Sequence, residues 1–116
     1  MPAYVISDIS PVEPQDEAAW KAYVEKAPAT IAKYGGRYLV RGGAISVMEG
    51  GWSPHALVVV EFPDTAAAER WYASPEYAEV FAVRTPGLRR NLICVEGAAD
   101  ASGKDLLGPK FIPAED

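Results

Sequence analysis

Two charged residues stand at the ends of otherwise apolar stretches. Arg41 closes Tyr38-Leu39-Val40, and Glu61 follows Val58-Val59-Val60. A charge carried toward an apolar interior needs a partner. With the two stretches as neighbouring strands, Arg41 and Glu61 are expected to meet, and Arg84 to join them from a helix. Such a set supports either of two chemistries. The arginines can hold a small anionic substrate, Arg41 or Arg84 gripping its carboxylate with the planar guanidinium fork. Glu61 is then a general base if burial raises its pKa. The alternative is a structural ion-pair network tying helix to sheet. Tyr77 and Trp71 add aromatic walls with polar tips. Both also fit core packing at helical spacing, which for Trp71 is the stronger reading.

Other reactive side chains carry less. Ser74 precedes Pro75-Glu76 and reads as a helix N-cap, with no base beside it to make it a nucleophile. His55, the single histidine, follows Pro54 at a loop-to-strand junction. Without clustered Cys or Asp it is weak evidence for a metal or haem. Cys94, the single cysteine, lies within Leu92-Ile93-Cys94-Val95 and reads as an inert buried hydrophobe. Gly42-Gly43 and Gly50-Gly51 are followed by no Lys-Ser/Thr, so they serve backbone geometry rather than phosphate binding. No cofactor and no metal are expected.

The chain that must position these residues has 116 residues, a net charge of −5 and 49% hydrophobic residues. That is one domain with apolar residues enough for a core. A lone cysteine forms no internal disulfide, which fits a reducing compartment. Scattered Arg and Lys on an acidic chain argue against nucleic-acid binding. The longest aliphatic run, Ala56 to Val60, is far short of a membrane span, and the N-terminus lacks the pattern of a signal peptide. A cytoplasmic domain is expected.

Tyr4-Val5-Ile6 predicts a strand over Ala3 to Ile9, covered on both faces and ended by Pro11 and Pro14. Trp20, Val24, Ala27, Ile31 and Tyr34 form a stripe at three- and four-residue steps, predicting a helix from Gln15 to Tyr34. Asp16 is its candidate N-cap and Gly35 its left-handed stop. Pro28 cannot bond to the Val24 carbonyl, so a kink or break is expected there. Gly36 to Arg41 is the second strand. Gly42-Gly43 is either a bulge in one long bent strand reaching Glu49 or a tight turn between two short ones; the bent strand is favoured. His55 to Phe62 is a strand. Asp64 or Thr65 caps a helix to Ala73, and Ser74-Pro75-Glu76 restarts a helix that Pro86-Gly87 closes. Asn91 to Glu96 is the last strand. Residues 1–97 are read as the domain and 98–116 as a C-terminal tail with apolar islands at Leu106-Leu107 and Phe111-Ile112.

The order strand, helix, strand, strand, helix, strand is the split βαβ pattern. It implies an α+β, ferredoxin-like antiparallel sheet with helices on one face. Yet the strands are apolar on both faces. Val58, Val60 and Phe62 lie on one side of the third strand, Leu57 and Val59 on the other. A bare second face would be a large apolar patch, which a homodimer with sheets packed face to face would cover.

Three blocks, from Ala29 through Tyr34-Gly-Gly-Arg-Tyr-Leu-Val-Arg-Gly-Gly43, Val60-Glu-Phe-Pro63 and Trp71-Tyr-Ala-Ser-Pro-Glu-Tyr77, resemble the bacterial family known as domain of unknown function 1330. The resemblance covers about residues 2 to 97 and implies the dimeric α/β-barrel superfamily. Relatives in that superfamily include cofactor-free monooxygenases, lactone isomerases and haem-binding chlorite-degrading enzymes. The family's polar signature falls on Arg41, Glu61, Ser74, Tyr77 and Arg84. This chain departs from it with Phe81-Ala82-Val83 where a polar pair is common, and with a longer tail. The expected function is binding of a small organic molecule, anionic or aromatic, between sheet and helices. Either cofactor-independent oxygenation or isomerisation accompanies it, or the module is non-catalytic.

Overall fold

The computed structural model describes residues 1–11, 17–84 and 88–98; the side chains of Pro11, Glu17, Ala19, Trp20, Val83, Arg84 and Leu88 also lie outside the description. Seven elements follow one another: β1 (Ala3–Pro11), α1 (Glu17–Lys33), β2 (Arg37–Arg41), β3 (Ala56–Phe62), α2 (Thr65–Tyr72), α3 (Pro75–Arg84) and β4 (Leu88–Glu96). The four strands form one open sheet in the order β2-β3-β1-β4, every neighbouring pair antiparallel. This is the expected ferredoxin-like α+β arrangement.

Strand alternation builds the core. In β1, Ala3, Val5, Ser7 and Ile9 are buried, and the residues between them face the other way. Val5 and the paired Val60 and Phe62 of β3 pack with Ala27 and Ile31 of α1, Ala67, Ala68 and Trp71 of α2, and Tyr77 and Val80 of α3. The helices therefore share one face. The other carries Tyr4, Ile6, Val40, Leu57, Val59, Ile93 and Val95, with Ile93 59% exposed. No described helix is long and apolar enough to cross a membrane.

Local signals explain the helix ends. The N–H groups of Gly35 and Gly36 donate to the Ala32 and Ile31 carbonyls at 3.1 and 2.9 Å, closing α1 as a Schellman motif with Gly35 at φ 85°. Gly36 must stay small. A Cβ there would stand 2.6 Å from Ile31 Cγ2 and 2.9 Å from Phe62 Cε1. Asp64 caps α2, its carboxylate accepting from the Ala67 N–H at 2.7 Å. Ser74 caps α3, accepting from the Tyr77 N–H at 3.0 Å and donating to the Trp71 carbonyl at 2.7 Å. Lys33 pairs with Glu76, and the Tyr34 hydroxyl donates to Glu76 at 3.0 Å, which joins the end of α1 to the start of α3.

Several expectations are corrected. Of the kink or break expected at Pro28, the break does not occur, since α1 continues through it to Lys33. β1 continues to Pro11 and β4 begins at Leu88, because the two strands pair along their whole lengths, Pro11 opposite Leu88. A terminal proline costs the ladder little. Neither reading of residues 44–49 holds, since 43–48 carry no strand. Gly42 donates to the Leu57 carbonyl at 2.9 Å, then turns the backbone to φ 72°. Beyond it Ile45, Val47 and Met48 pair with no strand among the described residues and stand exposed, Met48 at 89%. The Trp52 indole N–H donates to Asp8 at 3.3 Å and returns this loop to the sheet. The candidate cap Asp16, the stops Pro14 and Pro86-Gly87, and the tail from residue 99 lie outside the described residues.

Candidate functional site

The structure separates the expected Arg41–Glu61 pair. Arg41 is the last residue of β2 and Glu61 the last but one of β3, and in an antiparallel pair two C-terminal ends lie at opposite ends of the ladder. Arg37, not Arg41, stands opposite Glu61, while Arg41 stands opposite Val58. The faces differ as well. Glu61 shares the open face with Tyr4 and accepts a 2.8 Å hydrogen bond from Arg37 Nε. Its hydrogen bond to the Tyr4 hydroxyl raises that phenol's pKa. Arg41 lies on the helix face. Its Nη2 donates to the Val24 carbonyl at 3.1 Å, and its Cζ sits 4.7 Å from the Tyr38 ring centroid. Val24 is four residues before Pro28, so its carbonyl is the one that the proline leaves without a helical donor. Arg41 supplies a donor in place of the missing N–H. Arg84 ends α3, and its side chain lies outside the described residues.

A different cluster assembles between sheet and helices. Arg90 of β4 stands opposite Ile9 on the core-facing side. Its Nη1 donates to the Tyr23 hydroxyl at 2.7 Å, and its Cζ is 5.8 Å from the Tyr23 ring and 5.5 Å from the Tyr77 ring. Tyr38 closes the group from β2. Burial pushes its phenol pKa up, the Arg41 and Arg90 cations pull it down, and Tyr23 adds to the rise. Tyr77 is 2% exposed, and its hydroxyl has no hydrogen-bond partner among the described residues. Burying a hydroxyl unpaired is costly, and such a group marks a place where a partner belongs. Among the described residues the ion pairs are Lys33–Glu76 and Arg37–Glu61. Neither Arg41 nor Arg90 thus has a carboxylate partner there. The arrangement suits an anion with an aromatic or apolar body: guanidinium donors for the charge, ring faces for the rest.

Sequence reasoning found Arg41 and Tyr77 of this cluster and missed Arg90, Tyr23 and Tyr38. Arg90 was legible only if β4 was extended back past Asn91, which would have put it two residues before Leu92 on the same face.

Beside the cluster, under α2, is a cleft of about 380 Å³ lined by Val5, Ala68, Glu69, Trp71, Tyr72, Leu92 and Cys94. Trp71 forms its wall as well as part of the core. The indole N–H donates to Thr30 Oγ1 at 3.1 Å, Thr30 donates onward to the Ala27 carbonyl at 2.8 Å, and the ring lies 4.5 Å from that of Tyr77. Cys94 is exposed, not buried as expected, because it lies on edge strand β4. Partial burial first, then the Glu69 and Glu96 charges, raise its thiol pKa. His55 is exposed in the bend just before β3, and no described group of His, Cys, Asp and Glu is arranged to hold a metal ion.

Solved structures share this architecture. A protein of unknown function from Rhodopseudomonas palustris superposes with a TM-score of 0.67 at 17% identity, over 85% of this chain and 84% of that one. SnoaB, a cofactor-independent oxygenase from Streptomyces nogalater, gives 0.58 at 10% identity, over 86% and 96%. A dimeric protein of unknown function with a ferredoxin-like fold from Bacteroides fragilis gives 0.52 at 13% identity, over 83% and 96%. At these identities the likeness is one of fold. No curated protein matches the sequence. The family model for DUF1330, a domain of unknown function, matches residues 2–98, and the chain belongs to that family.

Proposed function

We propose that this protein binds a small organic anion with an aromatic or apolar body between its sheet and helices, and that it works as a homodimer. One observation carries the binding reading. Arg41 and Arg90, without a carboxylate partner among the described residues, stand in a cluster of tyrosines that includes the buried, unpartnered Tyr77 hydroxyl. Arg90 holds the anion, Arg41 adds charge, and Tyr77 donates the further hydrogen bond. Trp71 serves through its stacking on Tyr77. Glu61, the expected base, is left out of this site because it lies on the other face, bonded to Arg37.

Cofactor-independent chemistry on the bound anion, oxygenation or isomerisation, is the catalytic form of this reading. Its support is fold-level, the likeness to SnoaB. Tyr38, which burial keeps protonated, is a proton donor beside the two arginines. The homodimer is supported by the bare apolar face of the sheet and by the likeness to a structure described as dimeric.

Calorimetric titration with benzoate and salicylate tests the binding reading, with uncharged benzamide as control. Removing a charge-assisted contact predicts weakening of carboxylate binding by about tenfold or more in Arg90→Gln. Equal affinity for benzamide, an unchanged Arg90→Gln, or no binding up to about 10 mM carboxylate overturns it.

A further inference from the structure

The anion cluster and the cleft under α2 share one strand face. In β4, Arg90 stands opposite Ile9, Leu92 opposite Ser7 and Cys94 opposite Val5. Directly opposed residues of an antiparallel pair project to the same side of the sheet. Ile9, Ser7 and Val5 all lie on the buried, helix-facing side of β1. That central row is covered, at 3%, 4% and 3% exposure, whereas Arg90 and Leu92 are half-buried and Cys94 is exposed. The difference follows from the sheet order, since β1 is central and β4 is an edge. The helix side of β4 is therefore a ledge that the helices roof only in part.

Its two ends differ in chemistry. At one end Arg90 sets its guanidinium against Tyr23 and Tyr77. In the middle Leu92 lines the cleft together with Val5, Trp71 and Tyr72. Tyr77 links the two, its ring centroid 5.5 Å from Arg90 Cζ, 4.5 Å from that of Trp71 and 5.2 Å from that of Tyr72. At the far end Glu69 lines the cleft, and the Glu69 and Glu96 charges both reach the Cys94 thiol. Neither acid is in an ion pair among the described residues. Four residues of strand carry the chain from Arg90 to Cys94, about 13 Å. Benzoate, a single ring held at Arg90, is shorter than this and leaves the apolar cleft unfilled.

We propose that the cleft takes the apolar body of the anion whose carboxylate Arg90 holds, so that the site selects an elongated monocarboxylate. This rests on the anion-binding reading and deepens it. The carboxylate lies at Arg90, and the body runs along β4 over Leu92, beneath Trp71 and Tyr72. The end beside Cys94 carries no second negative charge, because Glu69 and Glu96 repel one. Body length then sets affinity as much as the head does. Burying one methylene completely tightens binding about fourfold, and a partly roofed cleft gives a share of that.

Calorimetric titration of the full-length protein compares benzoate, para-butylbenzoate and para-(carboxypropyl)benzoate. Para-butylbenzoate should bind at least about tenfold more tightly than benzoate, and the dicarboxylate should lose most of that gain. Cys94 locates the body, because it lines the cleft and is the single cysteine of the chain. At equal saturation of the protein, para-butylbenzoate should slow alkylation of Cys94 by iodoacetamide about tenfold, and benzoate should change the rate less than about twofold. Arg90→Gln should weaken both monocarboxylates by the same factor, which ties head and body to one molecule. Cys94→Trp fills the far end and should bring the two affinities within about threefold, while Glu69→Gln should recover binding of the dicarboxylate. Benzoate bound as tightly as its para-butyl derivative overturns the proposal and leaves the anion reading standing. So does para-butylbenzoate that binds tightly yet leaves Cys94 unprotected, or that ignores Arg90→Gln while benzoate weakens. Binding of neither monocarboxylate overturns both readings. The titration and alkylation of the parent protein decide even where Cys94→Trp loses its fold by circular dichroism.

Discussion

Arg41 and Pro28 should be energetically coupled although they lie on a strand and a helix. Pro28 deprives the Val24 carbonyl of its helical donor, and Arg41 Nη2 supplies one at 3.1 Å. Arg41→Ala removes that hydrogen bond and the contact with the Tyr38 ring. A hydrogen bond from a charged group contributes about 1.5–3 kcal/mol, and exposure of this one places it at the low end or below, roughly 1 kcal/mol. The cation–π contact adds about 0.5–1 kcal/mol at an exposed site. The single variant should therefore lose roughly 1.5–2 kcal/mol, a fall in Tm on the order of 10 °C for a domain of this size. Pro28→Ala restores the N–H and lets Val24 bond within the helix. In that background Arg41→Ala should lose only the ring contact, leaving a coupling of about 1 kcal/mol. Urea denaturation of the four proteins, followed by circular dichroism at one fixed protein concentration, measures it. A coupling below about 0.3 kcal/mol, within ordinary additivity, would refute the reasoning.

Acid should weaken the link between α1 and α3. Lys33 first, then the helix N-terminal N–H and Tyr34, hold the Glu76 pKa down to about 2 from an ordinary 4.5. A depressed folded pKa means the stabilisation is full above 4.5 and is lost as pH falls toward 2. Glu76→Gln should flatten that part of the pH–stability curve, and an unaltered acid limb would show that Glu76 contributes nothing there. For the dimer, sedimentation velocity at micromolar concentration should give twice the chain mass. Ile93→Lys on the open face should return it to monomer with the fold intact by circular dichroism. A monomeric parent would leave the two-faced strands without their explanation.

The secondary elements were largely legible because their signals are local. Gly35 stops α1 through its left-handed backbone, Asp64 and Ser74 cap the next two helices with their own oxygens, and alternation in Ala56–Phe62 assigns both faces of β3. Even the consequence of Pro28, an orphaned Val24 carbonyl, follows from its sequence position alone. The errors sit where a residue's fate depends on a partner from elsewhere. Ile45 and Val47 have strand-forming side chains but no neighbouring strand among the described residues, so they stay in a loop. Arg89 and Arg90 look unlike a strand, yet pairing with Ser10 and Ile9 makes them one.

The same division governs the site. Residue types alone identified Arg41 and Tyr77 as chemically notable and family membership as the frame. Which charges meet is a matter of register, and antiparallel pairing sets Glu61 against Arg37 instead of Arg41. Only the tertiary structure brings Arg90 to Tyr23 and Tyr77, residues from a strand and two helices, and only it leaves the Tyr77 hydroxyl buried without a partner among the described residues. Composition and periodicity decide which faces are buried, because burial depends on each residue's own transfer free energy. Function here depends on which side chains are juxtaposed, and that is decided by packing between elements.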